Sequence, residues 1–172
     1  KKICLTMDAG PSPNILFSKD YQSGALSFEI VSNGKKLISN CGYFKKNSSK
    51  LNELSKLEIN YLIIAYRGFS GNEGKPTESG LYEDAKSAKI WLNNNGVKDK
   101  DIILYGESLG TAVAVDLASK HKFAGIILES PFTSMTRLAQ IYYPIFPVKI
   151  ILKDKFDSIN KIQKINSPLL VM

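Results

Sequence analysis

The run Ile102-Ile103-Leu104-Tyr105-Gly106-Glu107-Ser108-Leu109-Gly110-Thr111-Ala112-Val113-Ala114 passes from four apolar residues to a glycine-flanked serine and then to small and apolar helix formers. Ile102 to Tyr105 predicts a short buried strand and Ser108 to His121 a helix, with a sharp glycine-permitted turn between them. A Gly-x-Ser-x-Gly pattern arises by chance in roughly one chain of this length in twenty, so its meaning comes from the strand and helix on either side. In that setting the glycines hold Ser108 in a strained backbone conformation with its hydroxyl thrust outward. The backbone N–H of Leu109, at the start of the helix, can then face a developing oxyanion. The alternative is a glycine-rich turn in which Ser108 only caps the helix.

Working outward, short apolar runs alternate with helical patterns. Ile59 to Ala65 is almost continuously apolar, as expected of a strand covered on both faces. Glu78 to Asn94 carries Leu81, Ala85, Ala88 and Leu92 at helical spacing, with Thr77 as cap and Gly96 as stop. Phe123 to Leu128 predicts another strand, Ser134 to Tyr142 another helix, and Pro168 to Met172 a last strand. This series implies an α/β fold, a mostly parallel sheet with flanking helices, in which ligands bind at the carboxyl ends of the strands.

The organisation changes near residues 50 to 58, dividing the chain into a β-rich segment, 1–50, and an α/β segment, 51–172. Ile3 to Met7 predicts a short strand followed by the turn cluster Ala9-Gly10-Pro11-Ser12-Pro13. Leu26, Phe28 and Ile30 alternate with Ser27, Glu29 and Val31, the period of a half-buried strand. Asn33-Gly34 supplies a two-residue hairpin turn and Lys36 to Ser39 returns. Asn47 to Lys56 is polar, a loop or the start of a helix.

Composition excludes several classes. The 172 residues are 44% hydrophobic and 23% charged, which suits one folded domain and not a disordered chain. No apolar run approaches the roughly 20 residues that span a bilayer; Ile141 to Leu152 comes nearest but carries Pro144, Pro147 and Lys149. The net charge of +7 raises nucleic acid as a partner. Only Arg67 and Arg137 are arginines, however, and the lysines are scattered, so no nucleic-acid surface is expected. Cys4 and Cys41 lie far apart with no further Cys or His at metal-ligand spacing, so no metal is expected. Without a secretory signal pattern, the compartment expected is a reducing cytoplasm.

Four blocks carry a family resemblance. They are Tyr66-Arg67-Gly68-Phe69, Gly74-Lys75-Pro76-Thr77-Glu78-Ser79-Gly80-Leu81-Tyr82-Glu83-Asp84-Ala85, Tyr105 to Ala114, and Leu128-Glu129-Ser130-Pro131-Phe132-Thr133-Ser134-Met135. In this order, over residues 59–172, they resemble the α/β hydrolases, in the serine-hydrolase branch of peptidase-like and acyl-thioesterase-like members. The resemblance implies hydrolysis of an ester, thioester or amide in a small acyl substrate through a Ser108 acyl-enzyme, with no metal or cofactor. It makes Arg67 and Glu129 residues that shape the active-site edge. Phe132, Tyr142 and Phe146, where this fold builds a cap, become candidate acyl contacts.

The resemblance also sets what is missing. A serine hydroxyl needs a base, normally a His oriented by a carboxylate. The one His of the sequence, His121, lies about 18 Å along the helix from Ser108 at about 1.5 Å per residue, too far to serve. In the family the acid follows the strand corresponding to Pro168 to Met172 and the His comes later, so a truncated hydrolase core is expected. Family members also carry a strand ending in a His-Gly loop, between those at Ile59 to Ala65 and Ile102 to Tyr105. No His-Gly occurs here, so either those two strands pair directly or another segment fills the slot.

Two readings of the N-terminal block stand. Its hairpin matches the antiparallel pair that opens many α/β hydrolases. Met7 to Pro13, Gly24 to Glu29 and Leu37 to Gly42 instead resemble the C-terminal β domain of heparinase II/III-like proteins. This second reading is favoured, and implies a fusion near Lys50 to Lys56. Two functions follow: a serine hydrolase, or a catalytically inert fragment or fusion.

Overall fold

The computed structural model describes residues 3–8, 29–32, 35–39, 56, 59–69 and 72–172. Seven strands are described: β1 (Ile3–Asp8), β2 (Glu29–Ser32), β3 (Lys35–Ser39), β4 (Asn60–Ile64), β5 (Ile102–Glu107), β6 (Gly125–Glu129) and β7 (Leu169–Val171). The helices are α1 (Glu78–Asn94), α2 (Leu109–Ala118), α3 (Met135–Tyr142), α4 (Val148–Ile151) and α5 (Ser158–Ile162). Five strands form one sheet in the order β4-β1-β5-β6-β7, parallel at every pairing. β2 and β3 form a separate antiparallel pair, interrupted by a register shift between Ile30 and Val31.

The slot between β4 and β5 is filled. β1 pairs with β4 from Ile3 opposite Asn60 to Met7 opposite Ile64, and with β5 from Ile3 opposite Ile102 to Asp8 opposite Glu107. An N-terminal strand thus completes the sheet in the place where the sequence lacks a segment ending in His-Gly. The neighbours β4 and β5 would otherwise leave facing rows of backbone N–H and C=O groups without strand partners. The predicted turn clusters at residues 9–13 and 33–34, and most of the polar stretch 47–56, lie outside the described residues.

Apolar burial concentrates on the central strands. Ile102 and Leu104 of β5 and Ile126 and Leu128 of β6 are fully buried, alternating with half-covered neighbours. Each such side chain contributes roughly 1.5–3 kcal/mol relative to exposure. Helix α2 is the central helix: Gly110 through Ala118 are all buried, and it packs against β1, β5, β6, α1 and α5. Its apolar content all round matches that position. α1 buries Leu81, Ala85 and Leu92 along one stripe.

Caps set the helix limits. The Thr77 side chain accepts the Gly80 N–H at 3.2 Å, and Gly96 leaves α1 at φ +86°. α2 ends at Ala118, three residues before the pattern predicts. The Ser119 hydroxyl donates to the Asp116 carbonyl, and His121 closes the end by donating its N–H to Leu117 O.

Candidate functional site

The turn from β5 to α2 holds Ser108 at φ 50°, ψ −116°, outside the helical and extended regions, and leaves it exposed. A non-glycine residue there costs of the order of 1–3 kcal/mol and persists only where its surroundings enforce it. Here they do. The Ser108 N–H donates to Glu129 O at 3.0 Å, while Ser108 O accepts from Thr111 N at 3.0 Å and Thr111 Oγ1 at 2.6 Å. Gly106 supplies the space: a Cβ on it would lie 2.5 Å from Gly110 O, 2.7 Å from Gly110 C and 2.8 Å from Thr111 Cα. Strand and helix therefore cross in backbone contact, which brings the first turn of α2 directly behind Ser108. Leu109 opens that helix, where N–H groups have no intrahelical acceptor and the helix dipole presents its positive end.

Around this turn the carboxyl ends of three strands align: Asp8, Glu107 and Glu129 occupy one row of the sheet register. Glu129 fastens the turn through its carbonyl, and its carboxylate accepts a hydrogen bond from the Tyr105 hydroxyl. Just beyond, Ser130 takes a second left-handed conformation, φ 53°, and donates its N–H to Met172 O at 2.8 Å.

The other candidate residues lie in different surroundings. Arg67 follows β4 and is committed to Asp84: Nε donates to Oδ1 at 2.9 Å, Nη2 to Oδ1 at 2.6 Å, and the Arg67 backbone N–H to Oδ2 at 2.9 Å. Hydrogen bonding to Asp84 and its charge push the guanidinium further up from its ordinary value. A cavity of about 670 Å³ between β4 and α1 is lined by Arg67 and Asp84 together with Leu62, Ile64, Ala88 and Trp91; Ser108 and Glu129 do not line it. Phe132 is half-buried just past β6, whereas Tyr142 and Phe146 are exposed, Phe146 meeting Tyr143 edge to face at 6.4 Å. His121 sits beyond the far end of α2, edge to face with Phe123. Burial, then the charge of Lys89, lowers its pKa from the ordinary value. Among the described residues no group of three or more His, Cys, Asp or Glu could hold a metal ion.

A polar network that the sequence reading did not find ties the helices together. Asp116, buried on α2, accepts from Lys120 Nζ at 2.6 Å and Lys161 Nζ at 2.7 Å. Lys161 also lies 4.1 Å over the Tyr82 ring, and the Tyr82 hydroxyl donates to Glu78 Oε1 at 2.9 Å. Burial, then that bond, drives the Tyr82 phenol far above its usual pKa. Glu78 Oε2 receives the N–H groups of Lys155 and Phe156 at 2.7 and 3.0 Å. Glu78 with Tyr82 and Asp116 with Lys120, each pair four apart, were its local traces.

Known proteins resemble this chain in sequence and in fold. The family described as heparinase II/III-like, C-terminal, matches residues 1–57. An uncharacterized protein of Mycobacterium tuberculosis is 42% identical over 120 residues, which is 69% of this chain and 43% of that protein. Alpha/beta hydrolase domain-containing protein 17B of Homo sapiens is 39% identical over 121 residues, 69% of this chain and 40% of its own. The chain thus spans about two-fifths of the length of these curated relatives. Among solved structures, an alpha-beta hydrolase from Vibrio vulnificus superposes with TM-score 0.66 at 22% identity, covering 98% of this chain and 55% of that one. The fold is that of the α/β hydrolases, and the homologues include alpha/beta hydrolase domain-containing proteins.

Proposed function

We propose that this chain is the nucleophile-bearing core of a serine hydrolase acting on an ester, thioester or amide of a small acyl substrate. The observation that carries the reading is Ser108, exposed at φ 50° on a turn closed by the contact of Gly106 with Gly110. In the step proposed, Ser108 Oγ bonds to the acyl carbon while its proton passes to a base; the base returns that proton to the leaving oxygen, sulfur or nitrogen, whose bond to the carbon breaks to release alcohol, thiol or amine, and water then hydrolyses the acyl-enzyme. The Leu109 N–H and the positive end of α2 offset the charge that develops on the carbonyl oxygen. Glu129 and Thr111 keep the turn in the geometry this requires. Phe132, half-buried past the end of β6, is the aromatic offered to the acyl group.

The base is not His121, which the length of α2 separates from Ser108. That separation favours a second reading, an inert hydrolase-like core. A fluorophosphonate probe distinguishes the two when free imidazole is added as a diffusible base. The enzyme reading expects slow phosphonylation mapped by mass spectrometry to Ser108, accelerated by imidazole and absent in Ser108→Ala. No adduct on Ser108 with imidazole present would leave the inert reading.

A further inference from the structure

The excursion between β6 and α5 carries the most exposed apolar surface among the described residues. Ile141, Tyr142, Tyr143, Ile145, Phe146, Ile150 and Ile151 fall within eleven residues, and Ile145 and Ile150 are 93% and 85% exposed. Isolated exposed apolar side chains are ordinary; a concentrated run of them marks an interaction surface. The charge pattern identifies the partner. From Met135 to Lys153 there is no Asp or Glu, while Arg137, Lys149 and Lys153 supply three cations. The nearest acid, Asp154, is occupied, accepting the Glu78 N–H at 2.7 Å.

The base of the excursion is closed and anchored. Met135 N donates to Lys155 O at 2.8 Å and Ile159 N to Thr133 O at 3.0 Å. Glu78 fixes Lys155 and Phe156 to the start of α1. Pro144 and Pro147 restrict the backbone on either side of Ile145 and Phe146. A fixed base, an apolar tip with two tyrosines, and cations without anions are together the chemistry of a segment that lies in the headgroup region of an anionic bilayer.

We infer that residues 135–153 dock this protein on an anionic lipid surface, with Ile145 and Ile150 inserted and Lys149 and Lys153 against the headgroups. The inference does not rest on the Ser108 chemistry, and probe labelling of Ser108 is read separately. The test is flotation of the full chain with vesicles of phosphatidylcholine alone and with phosphatidylcholine vesicles enriched in phosphatidylserine, whose surface potential reaches about −50 mV. Partitioning onto the anionic vesicles is expected to exceed that onto neutral ones more than tenfold and to weaken in high salt. Ile145→Ser with Ile150→Ser is expected to lower it by more than tenfold. Lys149→Gln with Lys153→Gln, which leaves the apolar tip intact, is expected to lower it by roughly 30-fold, about fivefold per lysine. Equal partitioning onto both vesicle types, or unchanged partitioning of both variants, overturns the inference. So does a self-associated species that Ile145→Ser with Ile150→Ser dissolves and that floats with neither vesicle, which would assign the surface to a second copy.

Discussion

Replacing Gly106 with Ala tests whether the β5–α2 turn is held by backbone contact. Gly106 has no positive φ, so the cost of the methyl group is steric. The added Cβ meets three backbone atoms, Gly110 O at 2.5 Å, Gly110 C at 2.7 Å and Thr111 Cα at 2.8 Å, none of which moves without displacing α2. Overpacking a closed core costs about 1–3 kcal/mol, and rigid neighbours place this case at the upper end, about 3 kcal/mol. With a urea slope of about 2 kcal/mol per molar, the midpoint should fall by roughly 1.5 M at unchanged slope. Two glycines are controls. Gly96→Ala meets nothing within 4 Å but has φ +86°, so backbone strain alone should cost about 1 kcal/mol. Gly125→Ala meets only Pro168 O at 3.8 Å and Ile103 Cγ1 at 4.0 Å, and should be neutral to about 1 kcal/mol stabilising. Equal midpoints for the Gly106 and Gly96 variants would refute the steric account.

Asp116→Ala should cost about 2 kcal/mol, because it leaves Lys161 with only the longer contact to Glu78 Oε1 at 3.7 Å; the figure is below that for a fully buried pair since Glu78 remains and both lysines reach solvent. Lys120→Gln, whose side chain is 58% exposed, should stay within about 0.5 kcal/mol in the same urea titration. His121 has a folded-state pKa below its unfolded value of 6.5, chiefly through burial and then the charge of Lys89. The unfolded chain therefore binds the proton more readily, so the contribution of His121 is present above pH 6.5 and is lost as pH falls from there through the folded pKa. The urea midpoint should drop more between pH 7.5 and 5.5 in the parent than in His121→Gln, and identical drops would remove the His121 assignment.

What was legible in the sequence follows from contact range. The serine turn was readable because Gly106, Ser108 and Gly110 act on one another within five residues, and α1 because Thr77, its apolar stripe and Gly96 lie along one helix. Arg67 was read as shaping the active-site edge, but its partner Asp84 is 17 residues away and nothing local marks the pair. Asp116 and Lys161 are 45 apart, Glu78 and Phe156 78 apart; inside α1 and α2 these carboxylates look like any other helical acids. β1 shows the same limit from the other side. Apolar content marks Ile3 to Met7 as a strand, yet a strand's pattern does not name its neighbours. A parallel pairing between residues more than fifty apart, as Ile3 with Asn60, leaves no periodic trace in either segment.

The long-range contacts also divide the molecule into two independently fastened parts. Ser108 is held by Glu129 O, Thr111 and the Gly106 contact. The excursion is held at its base by Glu78, and Phe156 sits there buried at φ 44° with its ring edge to face with Tyr82 at 5.9 Å. A buried aromatic in the left-handed region costs of the order of 1–3 kcal/mol, offset by the two N–H bonds to the Glu78 carboxylate and by the Tyr82 ring. No residue belongs to both sets of fastenings. They meet through the body of α2, whose first residues adjoin Ser108 and whose Asp116 grips Lys161 two turns further on, and through the short run from Glu129 to Thr133, where Ile159 N–H bonds to Thr133 O. Energetic effects at sites without shared partners add rather than couple. The exposed excursion is therefore free to meet a surface of its own without straining the turn on which the proposed chemistry depends.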